Sequence, residues 1–206
     1  MEDIVALMSG GIDSFLMAAI LQEDYKLYPI YINYNHLAYY EEIKAVKKQI
    51  EYLGLHQLIE ITVNKISNFM KNSLTSEEVL INDFYPARNL LLLTLASQIA
   101  YSKDITRVAI GIIKGNRIFP DCTDEYISSV EKVLSSSVNT NIAIFNPISN
   151  FSKKEIITLF NDMNLPFNLV YSCQKGKKEH CGLCPSCIEL FNEIKGKRRG
   201  INENYS

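Results

Sequence analysis

Two stretches of this sequence carry residue types at spacings that can do chemistry. The first is "SGGIDS", residues 9–14, which follows directly on the apolar run "IVALM". Gly10 and Gly11 let the backbone turn with positive φ, so successive N–H groups and the amino terminus of a following helix can converge on one anion. Ser9 and Ser14 add hydroxyl donors. The turn lacks the G-x-x-x-x-G-K-[ST] frame of the ordinary phosphate loop, and Asp13 would repel a phosphate unless a magnesium ion lay between them. Asp13 therefore reads as a metal-side acid. The second stretch is "CQKGKKEHCGLCPSC", which spaces Cys173, Cys181, Cys184 and Cys187 as C-x7-C-x2-C-x2-C. Four thiolates so close suit a tetrahedral Zn²⁺ at about 2.3 Å per bond, a closed shell and hence a structural site. His180 could replace one ligand, but four cysteines suffice and an exposed histidine is expected.

Three further stretches are less specific. "FYPARN" places Pro86, Arg88 and Asn89 at a helix start, where Arg88 either stabilises phosphate charge in a transition state or only meets solvent. "FPDCTDEY" sets Asp121, Asp124 and Glu125 beside Cys122 in a loop before a helix, where acids serve as ordinary amino-terminal caps. "FSKKEI" offers Lys153 and Lys154, solvated charges unless a helix-start lysine reaches a phosphate.

The elements that must position these residues follow from hydrophobic periodicity. "IVALM" reads as a strand and "FLMAAILQ" as a helix with Phe15, Leu16, Ala19 and Ile20 recurring at helical spacing. "KLYPIYINY" reads as a second strand, and "EEIKAVKKQIEYL" as a helix with Ile43, Val46, Ile50 and Leu53 on one stripe and Gly54 as its stop. "HQLIEITV" is a third strand, "RNLLLLTLASQIAYS" a helix expected to be buried nearly all round, and "RVAIGI" a fourth strand ending at Gly111. "EYISSVEKVLS" carries Tyr126, Val130, Val133 and Leu134 on a helical face, and "IAIFNP" is a fifth strand stopped by Pro147. Ser152 and Glu155 form a capping box opening a helix with Ile156, Leu159, Phe160 and Met163 inward. This alternation predicts an α/β fold, a parallel sheet covered on both faces with ligands at the carboxyl ends of its strands. Residues 64–85 and 112–123 break the rhythm as long loops, candidate lids or substrate walls.

Composition narrows the function class. At 206 residues, 47% hydrophobic and 21% charged, the chain can bury one sizeable core. A net charge of -2 gives no overall field for a polyanion, so no nucleic-acid partner is expected. The one basic run, residues 195–199, reads as a solvated tail. No apolar stretch of about 18 residues and no signal segment stands out, so a cytoplasmic protein without a membrane partner is expected. In a reducing compartment the clustered cysteines argue for metal over disulfides, and Cys122 stands apart.

The string S-G-G-x-D-S after a first apolar strand resembles the loop of the N-type ATP pyrophosphatases (PP-loop proteins), which split ATP between the α and β phosphates. Taken in order, "SGGIDS", "PARN", "PDCTDE", "SKKEI" and the four-cysteine cluster resemble the 7-cyano-7-deazaguanine synthases, the QueC family. The resemblance implies an adenine nucleotide alpha-hydrolase-like fold, with residues 1–165 as the ATP-using domain, 166–195 as a zinc segment packed on it and 196–206 as a tail. It implies a ligase that adenylates the carboxylate of 7-carboxy-7-deazaguanine for attack by ammonia, giving the nitrile through the amide. ATP would be held by Met8, Ser9, Gly10, Gly11, Asp13 and Ser14, with Mg²⁺ at Asp13. Asp13, Arg88 and Lys153 would be catalytic, and Tyr34, His36, Asn89, Asp121 and Asp124 would bind the substrate. A homodimer is implied as well. The chain departs from the family where "NYNHLAYY" lacks a Gly-Gln pair, where Ala87 replaces a glycine, where Thr123 replaces an arginine and where "RIF" precedes P-D-C. This drift at residues 34–37 and 117–123 motivates the alternative of a paralogue that passes the activated acyl group to a protein amine, in a defence or modification system.

Overall fold

The alternation of apolar strand and helix is realised as a five-stranded, wholly parallel sheet in the order β3-β2-β1-β4-β5. The computed structural model of the protein describes residues 1–65, 72, 74–76 and 84–198. Its strands are β1 (Glu2–Leu7), β2 (Tyr25–Asn33), β3 (Ile59–Thr62), β4 (Arg107–Ala109) and β5 (Ala143–Phe145). Its helices are α1 (Ile12–Leu21), α2 (Tyr39–Leu53), α3 (Arg88–Ser102), α4 (Asp124–Val138), α5 (Lys153–Asp162) and α6 (Pro185–Arg198). β1 is the central strand, in register with β2 from Glu2 opposite Tyr25 to Leu7 opposite Ile30, and with β4 through Val5 opposite Val108.

The period of two in β1 sorts its side chains between two cores. Ile4, Ala6 and Met8 face a cluster built from α1, α2 and α5, whereas Val5 and Leu7 face one built from α3 and α4. Both faces of the sheet are thus covered, which is why β1 reads as a continuous apolar run. The chain winds outward from β1 to β2 and β3, then returns to place β4 and β5 on the other side. The strand order reverses between β1 and β4, and that reversal opens a crevice at their carboxyl ends.

Several local signals act as expected. Gly54 ends α2 at φ 63°, and Ser152 and Glu155 close a reciprocal capping box at the start of α5. Other expectations are corrected. β3 spans four residues where "HQLIEITV" suggested eight, and β4 leaves the ladder after Ala109, short of "RVAIGI". The physical cause at β4 is the approach of α1. A Cβ on Gly111 would lie 3.3 Å from the Asp13 carbonyl oxygen, so the chain after β4 serves the loop-to-helix turn rather than the sheet. Val133 on α4 is 61% exposed because the inward stripe there is narrower, carried by Val130 and Leu134. α3 is not buried all round: Leu93, Ala96 and Ala100 are, while Leu90, Leu91, Leu92 and Leu95 are half-buried. On α5, Ile157 joins Ile156 and Phe160 in the core, while Leu159 and Met163 are only half-buried. Most of the loop at residues 64–85 lies outside the described residues. Among the described residues no helix is long and apolar enough to cross a membrane.

Candidate active site

At the switch point between β1 and β4 lies a cavity of about 290 Å³, and the loop Ser9–Ser14 forms one end of it. Ser14 organises this loop. Its hydroxyl accepts from the Ser9 N–H at 3.1 Å, lies 3.0 Å from the Ser9 hydroxyl and donates to the Gly11 carbonyl at 3.2 Å. Gly10 supplies the turn at φ 78°, and a Cβ there would meet the Glu42 carbonyl oxygen at 2.9 Å. Only glycine fits on both counts. The Gly10 carbonyl points away from the cavity, accepting from the Tyr171 N–H at 2.9 Å and from Gln49 Nε2 at 2.8 Å. Gln49 is fully buried and also donates to the Leu169 carbonyl, so one side chain ties the loop to the segment leading into the cysteines.

Lys153, at the first position of α5, reaches across to Asp13. Its ammonium lies 2.9 and 2.8 Å from the two carboxylate oxygens and 3.5 Å from Glu189 of α6. Burial works against the lysine's charge, but Asp13 and Glu189 more than offset it and hold its pKa above the ordinary value. The group is therefore a fixed cation at the mouth of the loop.

The other end of the cavity is assembled from side chains. Arg88 and Asn89 come from the start of α3, Tyr34 from the end of β2, Leu74 from the long loop and Cys122 from the turn before α4. Burial works against the Arg88 charge, while Tyr34, Cys122 and Asp121 beside it raise its pKa. Burial, opposed by Arg88, pushes the Tyr34 phenol up to about 12, so it remains a neutral group. Asn89 is buried, donating through Nδ2 to the Asp121 carbonyl at 2.9 Å and to Cys122 Sγ at 3.2 Å, while Asp121 accepts the Asn89 N–H at 3.2 Å. Burial raises the Cys122 thiol to about 11, so it stands in the wall as a thiol.

The structure thus gathers Met8, Ser9, Gly11, Asp13, Ser14, Tyr34, Arg88, Asn89 and Lys153 around one cavity. It does not bring Gly10, His36, Asp121 or Asp124 to the cavity wall; Gly10 turns the loop from behind. His36 is 5% exposed and stacks behind Tyr34, ring centroids 4.2 Å apart. Asp121 is 6% exposed and caps the start of α3 from behind, and Asp124 is exposed in the first turn of α4. Sequence reading passed over Tyr31, Glu42, Gln174 and Glu189, all of which line the cavity. Glu42 and Glu189 look like ordinary helix-surface acids in the sequence, and only the packing of α2 and α6 turns them inward.

The four cysteines come together as a set, their sulfurs all within 4.8 Å of one another. A tetrahedral ion with bonds of about 2.3 Å places its sulfurs roughly 3.8 Å apart, so the donor set fits one such ion. Although burial opposes it, the N–H groups of Leu183 and Cys184, 3.5 and 3.4 Å from Cys181 Sγ, draw that thiol down to about 7. His180 is half-buried rather than exposed, and its Nε2 accepts the Ser172 N–H at 3.2 Å instead of joining the cysteines. The segment packs on the start of α2. Ala38, Ala45, Tyr171, Cys173, Cys184 and Cys187 form one cluster, and Gly176 sits against the Leu37 carbonyl so closely that a Cβ would collide.

A doubly wound parallel sheet with a serine- and glycine-rich loop at its switch point defines the PP-loop class of ATP-using proteins. Solved structures agree on the fold. The NH3-dependent NAD synthetase from Campylobacter jejuni aligns at a TM-score of 0.56 and 18% identity, covering 100% of this chain and 90% of that one. The U34-tRNA thiolase NcsA from Methanococcus maripaludis, a structure with a [4Fe-4S] cluster, aligns at 0.54 and 14% identity over 98% of this chain and 74% of that one. Within this class the chain belongs to the family described as Queuosine biosynthesis protein QueC, whose profile matches residues 3–192. Among its relatives, the 7-cyano-7-deazaguanine synthase of Methanobrevibacter smithii is 31% identical over 93% of this chain and 92% of its own length. That of Nautilia profundicola is 28% identical over 91% and 90%.

Proposed function

We propose that the protein is an ATP-dependent carbon–nitrogen ligase that converts 7-carboxy-7-deazaguanine and ammonia into 7-cyano-7-deazaguanine, the product its relatives are named for. The observation that carries this reading is one cavity with an anion cradle and Lys153 at one end and a polar, aromatic wall that includes Arg88 at the other. A carboxylate oxygen of the substrate attacks the α-phosphorus of ATP, the bond to the bridging oxygen breaks, and pyrophosphate leaves. The N–H and hydroxyl groups of residues 9–14 bind the phosphates, and Lys153 and Arg88 offset the charge that gathers on the leaving group. Ammonia then displaces AMP from the acyl carbon to give the amide. A second adenylation, on the amide oxygen, lets the amide lose AMP and a proton to become the nitrile. Mg²⁺, when bound, would neutralise phosphate charge, and Asp13 with Glu189 provides the carboxylates such an ion takes alongside phosphate oxygens.

The cysteine set is read as a structural Zn²⁺ site, because four thiolates so close fill a tetrahedral shell and leave no position for water. We read residues 1–165 as the nucleotide domain, 166–195 as the zinc segment and 196–206 as a tail. The working form is read as a homodimer that acts in the cytoplasm on a small molecule, without nucleic acid. Purified, metal-loaded protein given ATP, ammonia and the carboxylate should yield AMP, pyrophosphate, amide and nitrile in chromatography with mass detection. If neither amide nor nitrile forms, the reading fails. Transfer of the acyl group to a protein amine would instead leave a deazaguanine-sized mass on a partner chain.

A further inference from the structure

One charged group in the cavity has no place in the steps above. Glu42, in the first turn of α2, lines the cavity at the joint between its two ends, where its own backbone carbonyl packs against Gly10. Its Oε2 accepts from the Tyr31 hydroxyl at 2.9 Å and lies 2.8 Å from His36 Nε2, and Tyr31 and His36 are themselves 3.1 Å apart. The tautomer follows from the surroundings. His36 Nδ1 is buried without a hydrogen-bond partner, so a charged ring would strand an N–H donor there, whereas a neutral ring protonated at Nε2 donates to Glu42 and strands only a lone pair. Tyr31 is held as a phenol, because burial and the adjacent carboxylate both push its pKa up. The Tyr31 hydroxyl and His36 Nε2 thus converge on one Glu42 carboxylate oxygen. Among the described residues no lysine or arginine lies within ion-pair distance of it, unlike Asp13 with its lysine. A carboxyl group placed in this way, facing a cavity, is complementary to a small N–H-bearing group.

We propose that Glu42 binds the incoming ammonia and takes the proton its nitrogen must lose, with Tyr31 and His36 as positioning residues. This rests on the ligase reading above. As the nitrogen lone pair forms the C–N bond, the C–O bond to AMP breaks and AMP departs with that electron pair. The excess proton on nitrogen passes to the Glu42 carboxylate, leaving a neutral amide and a carboxylic acid that is later deprotonated by water.

The two half-reactions separate the outcomes. Glu42→Gln keeps the size of the side chain and removes the base. It should leave carboxylate-dependent ATP–pyrophosphate exchange within about threefold of wild type and lower kcat/KM for ammonia by about 100-fold, the lower range of general-base effects. Hydroxylamine is uncharged at neutral pH and a stronger nucleophile. Its conversion to the hydroxamate should fall by less than about tenfold, because less of its barrier depends on the base. Tyr31→Phe, the check should the glutamine variant not fold, should show about a tenfold loss confined to the ammonia step. An ammonia step within threefold of wild type, or an exchange rate that falls in parallel with it, overturns the proposal. Absence of exchange in the wild-type protein overturns the ligase reading instead.

Discussion

The two ends of the cavity are built on opposite plans. At the nucleotide end the donors belong to one run of six residues, in which Ser9, Gly11 and Ser14 bond one another while Tyr171 and Gln49 hold Gly10 and Lys153 holds Asp13. At the acceptor end Tyr34, Arg88, Asn89 and Cys122 arrive from β2, α3 and the turn before α4. They are held by bonds that span 32 and 33 residues, from Asn89 to Asp121 and Cys122. A cradle of backbone N–H groups is fixed by its own turn and tolerates change around it, whereas a wall of side chains depends on every element that carries one. The departures from the family pattern read in the sequence, at residues 34–37, 87 and 117–123, all lie outside "SGGIDS".

The largest effect should come from the segment that touches both ends. Tyr171, Gln174 and Glu189 line the cavity, and the backbone of Tyr171 holds Gly10. Cys184→Ser removes one of the four clustered sulfurs, three of which are buried, and on the proposed metal-site reading should cost about 4 kcal/mol, roughly 10 °C in Tm, because binding free energy at such a site is folding free energy. Pyrophosphate exchange and the ammonia step should fall together by at least about 100-fold, and chelation of the wild type should do the same. Exchange that survives chelation while the ammonia step is lost would mean the segment serves the acceptor end alone.

Next comes Asp13→Asn, which leaves Lys153 facing a neutral amide and removes the acid proposed for Mg²⁺. Exchange should fall by about 100-fold, some 2.7 kcal/mol of transition-state stabilisation, with the KM for the carboxylate substrate little changed. The matching change at the other end is Asp121→Asn. It turns an acceptor for the Asn89 N–H into a group that can present a donor there, and should cost about 1–3 kcal/mol of stability. Its kinetic signature should be inverse, with the KM for the carboxylate raised by about tenfold and the KM for ATP within about twofold. Steady-state kinetics on both variants check the pair. If each change raised both KM values equally, the ends would not be separable.

The difference in plan also explains what was legible in the sequence. "SGGIDS" and C-x7-C-x2-C-x2-C are local, so residue type and spacing carry their meaning. The parallel sheet was legible because buried strands and amphipathic helices have distinct periods. Lys153 was legible only through the family resemblance, since its partner Asp13 lies 140 residues away. Glu42 was not, because nothing in "YYEEIKAV" tells which of two adjacent acids faces inward. That is decided where α2 packs on Gly10 and Leu37 on Gly176. His36 was expected to bind the substrate, and its place behind Tyr34, off the cavity wall, required the fold.

The smallest effect probes the drift itself. Ala87, immediately before Arg88, sits at φ 57°, ψ 21°, the left-handed region that L residues enter at a cost of roughly 1–2 kcal/mol. The backbone therefore retains the conformation of the glycine expected there from the family while the side chain has changed. Ala87→Gly should relieve that strain and return part of it as unfolded-chain entropy, a net stabilisation of about 0.5 kcal/mol and a rise in Tm of roughly 1–2 °C. Because α3 keeps its starting point, Arg88 and Asn89 should stay where they are, and the KM values for ATP and for the carboxylate should both hold within about twofold. A lower Tm would mean that the alanine methyl makes a stabilising contact and that the wall has been rebuilt around it. A higher Tm with a changed carboxylate KM would mean that the strain at Ala87 sets the aim of Arg88, and the acceptor end would then be tuned through its backbone as the nucleotide end is.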